Sequence, residues 1–157
     1  MKLLGFLSED AMILDMQART KDEAIRELLQ ATAATGGFAA KDMETVYKQC
    51  LEREKRGSTG LGEGIAVPHV KDCPQVQGLT GAFGRWKKGI KFDAVDGNPV
   101  TLAFLILGGP GTAAEHMKVL KSLASLRQNE HFLRFLRDAK DKASVADIVK
   151  EMSGALA

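Results

Sequence analysis

Two features of this sequence combine residue types and spacing that could do chemistry: a histidine at the end of a strand and a glycine-rich loop before it. His69 directly follows Ile65-Ala66-Val67-Pro68, a short apolar strand signature that stops at a proline. A neutral imidazole near pH 7 has one unprotonated nitrogen, so a histidine held by this rigid backbone could act as a nucleophile and carry a phosphoryl group. Taken alone, however, a single histidine is more often a packed side chain.

The loop before this strand is rich in groups that could bind an anion. Residues 57–64 include four glycines, and Ser58 and Thr59 add two hydroxyl groups. Unhindered backbone N–H groups, including that of Gly60, and these hydroxyls could donate hydrogen bonds to an oxyanion. Arg53 lies just before the loop, and its guanidinium fork matches phosphate oxygens. The alternative interpretation is a tight connection between a helix and a strand, with the arginine at a solvated helix end.

Several other function classes fit poorly. The glycines at 60, 62 and 64 follow a predicted helix instead of a strand and lack the spacing of a dinucleotide fingerprint or a P-loop. Lys and Arg total 22 against 20 Asp and Glu, and a net charge of +2 is too small to predict nucleic-acid binding. A zinc site from Cys73 and two histidines matches no standard ligand spacing, so we predict no metal site.

Length and hydrophobic pattern predict one cytoplasmic domain. A chain of 157 residues with 45% hydrophobic residues can bury a core without disulfides. Residues 1–7 form too short an apolar run for a signal peptide, and the apolar stretch 102–107 falls far short of the roughly 20 residues that a membrane helix needs. Cys50 and Cys73 form no C-x-x-C pair, which favours a reducing compartment.

Hydrophobic periodicity predicts an α/β fold with a mixed central sheet sandwiched by helices. Strands are predicted at residues 12–16, 65–67, 79–86 and 100–107. A capping box at Thr20 and Glu23 begins one helix, and a second ends in the charged turn 52–56, which is expected at the surface. Three helical segments fill the C-terminal third, with caps predicted at Asn129 and Ser144. Helices on one sheet face only are the alternative.

Together, these residues resemble the phosphorylation-site signature of a known family. The family comprises the enzyme IIA domains of fructose and mannitol type (type 2), with their nitrogen-related relatives, in the bacterial phosphoenolpyruvate-dependent sugar phosphotransferase system. The matching segments are Arg53-Glu54-Lys55, Ser58-Thr59-Gly60-Leu61-Gly62, Gly64-Ile65-Ala66-Val67-Pro68-His69, Phe92-Asp93-Ala94, Asp96-Gly97-Asn98-Pro99-Val100, and His116-Met117 followed by Leu120. The resemblance covers nearly the whole chain and implies a single IIA domain over residues 1–157.

The resemblance implies a phosphocarrier that holds a phosphoryl group on histidine without a metal or a bound cofactor. The implied site residues are His69 as phosphoryl acceptor, His116 as second active-site imidazole, and Arg53, Ser58, Thr59 and Gly60 as phosphate-binding groups. The implied donor is a histidine-containing phosphocarrier protein. We expect apolar residues such as Leu61 and Met117 around His69 for its docking.

Two functions follow from this resemblance, and the sequence leaves both open. Transfer onward to a cysteine of a permease B component would make the chain a phosphotransferase of sugar transport. Alternatively, the chain is a nitrogen-related regulatory module whose phosphorylation state controls a partner protein without sugar transfer. No B or C component is attached within these 157 residues, which favours regulation. The sugar is not specified by the sequence.

Overall fold

The computed structural model describes the backbone of residues 5–156 and the side chains of residues 5–152. In that range the strands are β1 (Met12–Ile13), β2 (Gly60–Gly62), β3 (Ile65–Ala66), β4 (His69–Val70), β5 (Leu79–Ile90) and β6 (Val100–Gly108). The helices are α1 (Lys21–Ala34), α2 (Met43–Lys55), α3 (Ala113–Leu126), α4 (Glu130–Asp138) and α5 (Lys142–Leu156). Residues 1–4, part of the segment for which no signal peptide was predicted, lie outside the described residues, as does residue 157.

The long strands β5 and β6 form the centre of a mixed sheet, which confirms the predicted fold class. The strand order is β1-β5-β6-β3-β2, and β4 also pairs with β6. Both β3 and β4 run parallel to β6, with Ile65 opposite Leu102 and His69 opposite Ile106. Between them Pro68 has no N–H to donate, but its carbonyl accepts a hydrogen bond from the Ile106 N–H at 3.0 Å. The interrupted strand therefore delivers His69 to the end of the sheet.

Alternating side chains of β6 divide the interior into two cores. Those that pack with α1 and α2 are Ala103, Leu105 and Leu107. Those that pack with α3, α4 and α5 are Leu102, Phe104 and Ile106. Each large apolar side chain that is fully buried in this way stabilises the fold by roughly 1.5–3 kcal/mol. Helices thus cover both faces of the sheet, as predicted, and the alternative with helices on one face is excluded.

Two predicted helix caps are present. The Thr20 hydroxyl accepts a hydrogen bond from the Glu23 N–H at 3.2 Å, although the Glu23 carboxylate accepts from Arg19 instead of Thr20. The Asn129 side chain accepts from the Phe132 N–H at 3.1 Å. Both caps satisfy backbone donors that the first turn of a helix leaves free.

Other boundaries correct the sequence predictions. The Ser144 cap is wrong, because the Ser144 N–H donates to the Asp141 side chain at 2.8 Å and α5 already begins at Lys142. The first strand covers Met12–Ile13 instead of residues 12–16. No helix in residues 5–156 is long and apolar enough to cross a bilayer.

Candidate active site

His69 lies half-buried at the first position of β4, where the sheet meets the cleft between α2 and α3. Its Nδ1 is 2.8 Å from the carbonyl oxygen of Val67. Because a carbonyl only accepts hydrogen bonds, Nδ1 carries the proton and the Nε2 of the neutral ring keeps its lone pair. The backbone two residues earlier therefore selects which ring nitrogen keeps the lone pair.

His116 is in the first turn of α3 and is only 3% exposed. Neither ring nitrogen has a hydrogen-bond partner among the described residues. Its ring centroid is 5.6 Å from that of His69, with the planes inclined at 57°. A buried polar group without a partner is costly and unusual, so its presence beside His69 points to a ligand-binding role.

Two cavities are lined by His69. The first, of about 510 Å³, is lined by both histidines together with Arg53, Met117 and Leu120, among others. The second, of about 340 Å³, is lined by Ser58, Thr59, Leu61 and Lys121 and again by Arg53, His69 and Leu120. The two cavities, which share Arg53, His69 and Leu120, together form a groove between α2 and α3.

Arg53 is the cation that both cavities share. It lies in the last turn of α2, is half-buried, and donates from Nη1 to the Gly57 carbonyl at 2.8 Å. One guanidinium has five N–H donors in a fixed fork, so this single bond leaves the others for an anion.

Both imidazoles are neutral at pH 7. Burial is the main cause that lowers the pKa of His69. The Val67 hydrogen bond is the next largest effect and raises it, and the smaller effects of Arg53 and Arg56 lower it while that of Glu54 raises it. Burial, reinforced by neighbouring His69, lowers the pKa of His116 to about 4. Each ring therefore has one nitrogen lone pair and one N–H, and the pair has no positive charge of its own.

Comparison with known proteins identifies the chain. The family model described as "Phosphoenolpyruvate-dependent sugar phosphotransferase system, EIIA 2" matches residues 5–152. The chain belongs to this family.

Relatives of this EIIA chain include both sugar and nitrogen proteins. A fructose-specific EIIA component from Haloferax volcanii is 34% identical over 139 residues, which is 88% of each chain. The crystal structure of the nitrogen regulatory protein IIA-Ntr from Neisseria meningitidis superposes with a TM-score of 0.83 at 31% identity, over 92% of this chain and 96% of that one. The IIA of the Escherichia coli mannitol IIA complex with phosphorylated IIB gives 0.73 at 25% identity, over 90% and 95%.

The hydroxyl donors predicted from the loop of this EIIA domain lie near His69 but are already engaged. The Ser58 hydroxyl donates to the Phe92 carbonyl at 2.6 Å, and the Gly60 N–H donates to the Ser58 oxygen at 3.0 Å. The Thr59 hydroxyl and N–H both donate to the Glu54 carboxylate. The two hydroxyls and the Thr59 and Gly60 N–H groups are therefore already hydrogen-bonded within the protein, mostly to residues outside the loop.

Glu54 is the residue near the site that sequence reasoning missed. The charged turn 52–56 was expected at the surface, and this is wrong for Glu54, which is 8% exposed. The spacing of residues could have predicted this burial. Val46, Cys50 and Glu54 follow one another at intervals of four residues and share the buried stripe of α2. Among the described residues no group of three or more His, Cys, Asp or Glu side chains could hold a metal ion.

Proposed function

We propose that this EIIA chain is a phosphohistidine phosphocarrier that accepts its phosphoryl group on Nε2 of His69. The observation that carries the proposal is the free Nε2 of His69, which lies beside an unpartnered buried imidazole and a shared arginine in an open groove. The donor would be a histidine-containing phosphocarrier protein. We expect the chain to act in the cytoplasm.

In the first transfer, the P–N bond to the donor histidine breaks while a P–N bond forms to His69 Nε2. No proton has to enter or leave His69, because its proton stays on Nδ1. The ring gains positive charge as Nε2 is phosphorylated, and the Val67 carbonyl that accepts from Nδ1–H at 2.8 Å disperses that charge. The transition state is metaphosphate-like, so catalysis consists mainly of positioning and of stabilising the charge on the equatorial oxygens.

His116 would act as a neutral donor to the transferred group. With a pKa of about 4 its ring is uncharged at pH 7 and carries one N–H. No described residue accepts that N–H, so a phosphoryl oxygen would be its first partner. Because this donor is already oriented and shielded from water, little reorganisation is needed when negative charge develops on the phosphoryl oxygen.

Arg53 would supply the positive charge that a dianion needs in the groove. Its Nη1 bond to Gly57 holds the side chain at the last turn of α2, next to His69. Ser58, Thr59 and Gly60 would contribute by shaping the second cavity and its loop, because the Ser58 and Thr59 hydroxyls donate to Phe92 and Glu54 and the Gly60 N–H donates to Ser58.

The onward step would transfer the group to a thiolate. The His69 P–N bond breaks, a P–S bond forms on a permease B component, and His69 returns to its neutral Nδ1–H form. The mannitol IIA relative was solved in complex with phosphorylated IIB, which supports a partner of this type for the same groove.

A regulatory role is the second candidate, favoured by the nitrogen regulatory structure with a TM-score of 0.83 against 0.73 for the mannitol complex. In that case the phosphoryl group on His69 would change which partner protein binds the groove. A dianion added between Arg53 and His116 changes both the charge and the hydrogen bonding of this surface.

Labelling with radioactive phosphoenolpyruvate, the first enzyme of the system and its phosphocarrier tests the proposal. We expect one acid-labile phosphoryl group per chain, none in His69→Gln, and full labelling in His131→Gln, whose histidine is exposed on α4. Labelling of His69→Gln at the wild-type level, or no labelling of the wild type, would overturn it.

Discharge of the labelled chain separates the two roles. Purified permease B components should remove the label in seconds if the chain serves transport. Retention of the label with every B component tested, together with partner binding that differs between labelled and unlabelled chain, would establish the regulatory role.

A further inference from the structure

A buried hydrogen-bonded cluster lies behind the groove, and Glu54 is at its centre. Its side chain is 5% exposed, and Lys21 Nζ is 2.9 Å from Oε2. The Thr59 N–H donates to the same oxygen at 3.2 Å, and the Thr59 hydroxyl donates to Oε1. A carboxylate is rarely buried unless it is paired in this way, so the ion pair with Lys21 and the hydrogen bonds from Thr59 are what stabilise the buried Glu54 carboxylate.

The cluster joins four segments of the chain. Lys21 is the first residue of α1, Glu54 lies at the end of α2, and Thr59 leads into β2. Lys21 Nζ also lies 3.9 Å from the Asp93 carboxylate and 5.1 Å from the centre of the Phe92 ring, in the β5–β6 connection. These contacts hold the loop at Thr59 against α2.

A continuous series of hydrogen bonds leads from this cluster to the nucleophile. Glu54 binds the N–H and hydroxyl of Thr59, the Thr59 carbonyl accepts from the Val67 N–H at 3.0 Å, and the Val67 carbonyl is the partner of His69 Nδ1 at 2.8 Å. The position of the Val67 carbonyl determines both the orientation of the imidazole and its tautomer.

We propose that Glu54 is a positioning residue for phosphoryl transfer, which acts through Thr59 and Val67 to hold His69 in the tautomer and orientation that expose Nε2. This inference rests on the proposed function of His69. Glu54 does not line either cavity beside His69 and does not touch the transferred group. Displacement of a reacting group by about 1 Å can cost on the order of 100-fold in rate. A residue that holds the His69 ring in place can therefore affect the transfer rate strongly.

The test compares Glu54→Gln with Glu44→Gln. Glu44 is also on α2 but is exposed and pairs with Arg26 at 2.7 Å, away from the series. Two quantities are measured: the tautomer of neutral His69 from its ¹⁵N chemical shifts in unphosphorylated protein, and the single-turnover labelling rate. We expect Glu54→Gln to lower the Nδ1–H fraction and to slow labelling by about 10-fold to 100-fold, with Glu44→Gln at the wild-type values.

Thr59→Val removes the hydroxyl that donates to Glu54 and leaves the Thr59 N–H and carbonyl in place, so it weakens the same series and tests the proposal if Glu54→Gln does not fold. It should also lower the Nδ1–H fraction, and Thr59→Ser, which keeps the hydroxyl, should recover it. Slow labelling with an unchanged tautomer in both variants, or labelling at the wild-type rate, would overturn the positioning role. Failure of the wild type to be labelled would instead overturn the proposed function, while the tautomer measurement would still test the hydrogen-bond series.

Discussion

Gly108 lies so close to His116 that a Cβ atom at this position would be 2.6 Å from the Nδ1 of the imidazole. It would also be 2.9 Å from the hydroxyl oxygen of Thr112. Both distances are well inside van der Waals contact, and Gly108 is the last residue of the central strand β6. The absence of a side chain at the end of this strand is what gives the second imidazole its place beside His69.

Gly108→Ala should therefore displace the His116 ring and slow phosphoryl transfer. We expect a loss of roughly 1–3 kcal/mol in the free energy of unfolding from overpacking, and a labelling rate reduced by about 10-fold or more because the second imidazole moves. Single-turnover labelling at a temperature where the variant is fully folded measures the effect.

Gly84→Ala is the matched control for this substitution. Its added Cβ would meet the Met16 sulfur at 2.7 Å and Leu28 at 3.0 Å, so it also overpacks the interior, but away from both histidines. Equal labelling rates for the two alanine variants would contradict the role assigned to Gly108.

His116 should make stability depend on pH between about 6.5 and 4. Its pKa is about 4 in the folded chain against 6.5 for an ordinary histidine, so the unfolded chain takes up a proton first as the pH falls. The free energy of unfolding should therefore decrease by up to about 3 kcal/mol across this window and be fully retained above pH 6.5. Urea unfolding at pH 7, 6 and 5 measures it.

The decrease should be smaller in His116→Gln, which has no group to protonate, and unchanged in His131→Gln. His69 adds to the decrease in the wild type, because burial lowers its pKa too. If His116→Gln loses as much stability between pH 7 and 5 as the wild type, the buried imidazole is not the cause.

Arg53→Gln should raise the pKa of His69 and slow its phosphorylation. Burial is the main reason that this pKa is low, but the positive charge of Arg53 lowers it further, so removing the charge shifts it upward. Because only the neutral ring attacks, the acid limit of labelling should move to higher pH. At pH 8 the rate should still fall by about 10-fold or more, because the groove loses its shared cation.

NMR titration of His69 measures the pKa, and Arg134→Gln is the control. Arg134 is an exposed arginine on α4, 5.5 Å from the Phe135 ring and outside both cavities beside His69. A downward shift of the His69 pKa in Arg53→Gln would contradict the electrostatic role of Arg53.

The position of His69 was predictable from the sequence for a local reason. A short apolar strand followed by Pro68 places the next residue at the end of a sheet, and His69 is there. The central strand could also be predicted from the sequence, because residues 100–107 are apolar on both faces. In the structure β6 is buried between the two cores. Local patterns of this kind depend on few long-range contacts.

The hydrogen bonds of the loop could not be predicted from the sequence because its partners are distant along the chain. The Ser58 hydroxyl donates to the carbonyl of Phe92, 34 residues away, and the composition of residues 57–64 cannot indicate that contact. Glu54 was misread because a run of charges suggested a surface, although its spacing from Val46 and Cys50 placed it on the buried stripe. The His116 position came from the family resemblance alone, since its approach to His69 depends on how α3 packs on the sheet.

Met117→Glu should weaken docking of the phosphoryl donor without impairing the chemical step. Met117 is next to His116, is 50% exposed and lines the larger cavity beside His69, so an apolar partner surface would lie against it. A carboxylate there would be desolvated on docking and would repel the incoming phosphoryl group. We expect KM for the phosphocarrier to rise by about 10-fold, with kcat changed far less.

Phe135→Glu provides the comparison, because Phe135 is 49% exposed but lies on α4, outside both cavities beside His69. Steady-state labelling over a range of phosphocarrier concentrations separates the two parameters. If both variants raise KM equally, the effect is one of net charge and the docking surface is not at Met117. If Met117→Glu lowers kcat instead, the substitution has disturbed His116 through its own helical turn, and Met117 belongs to the positioning of the imidazole and not to partner docking.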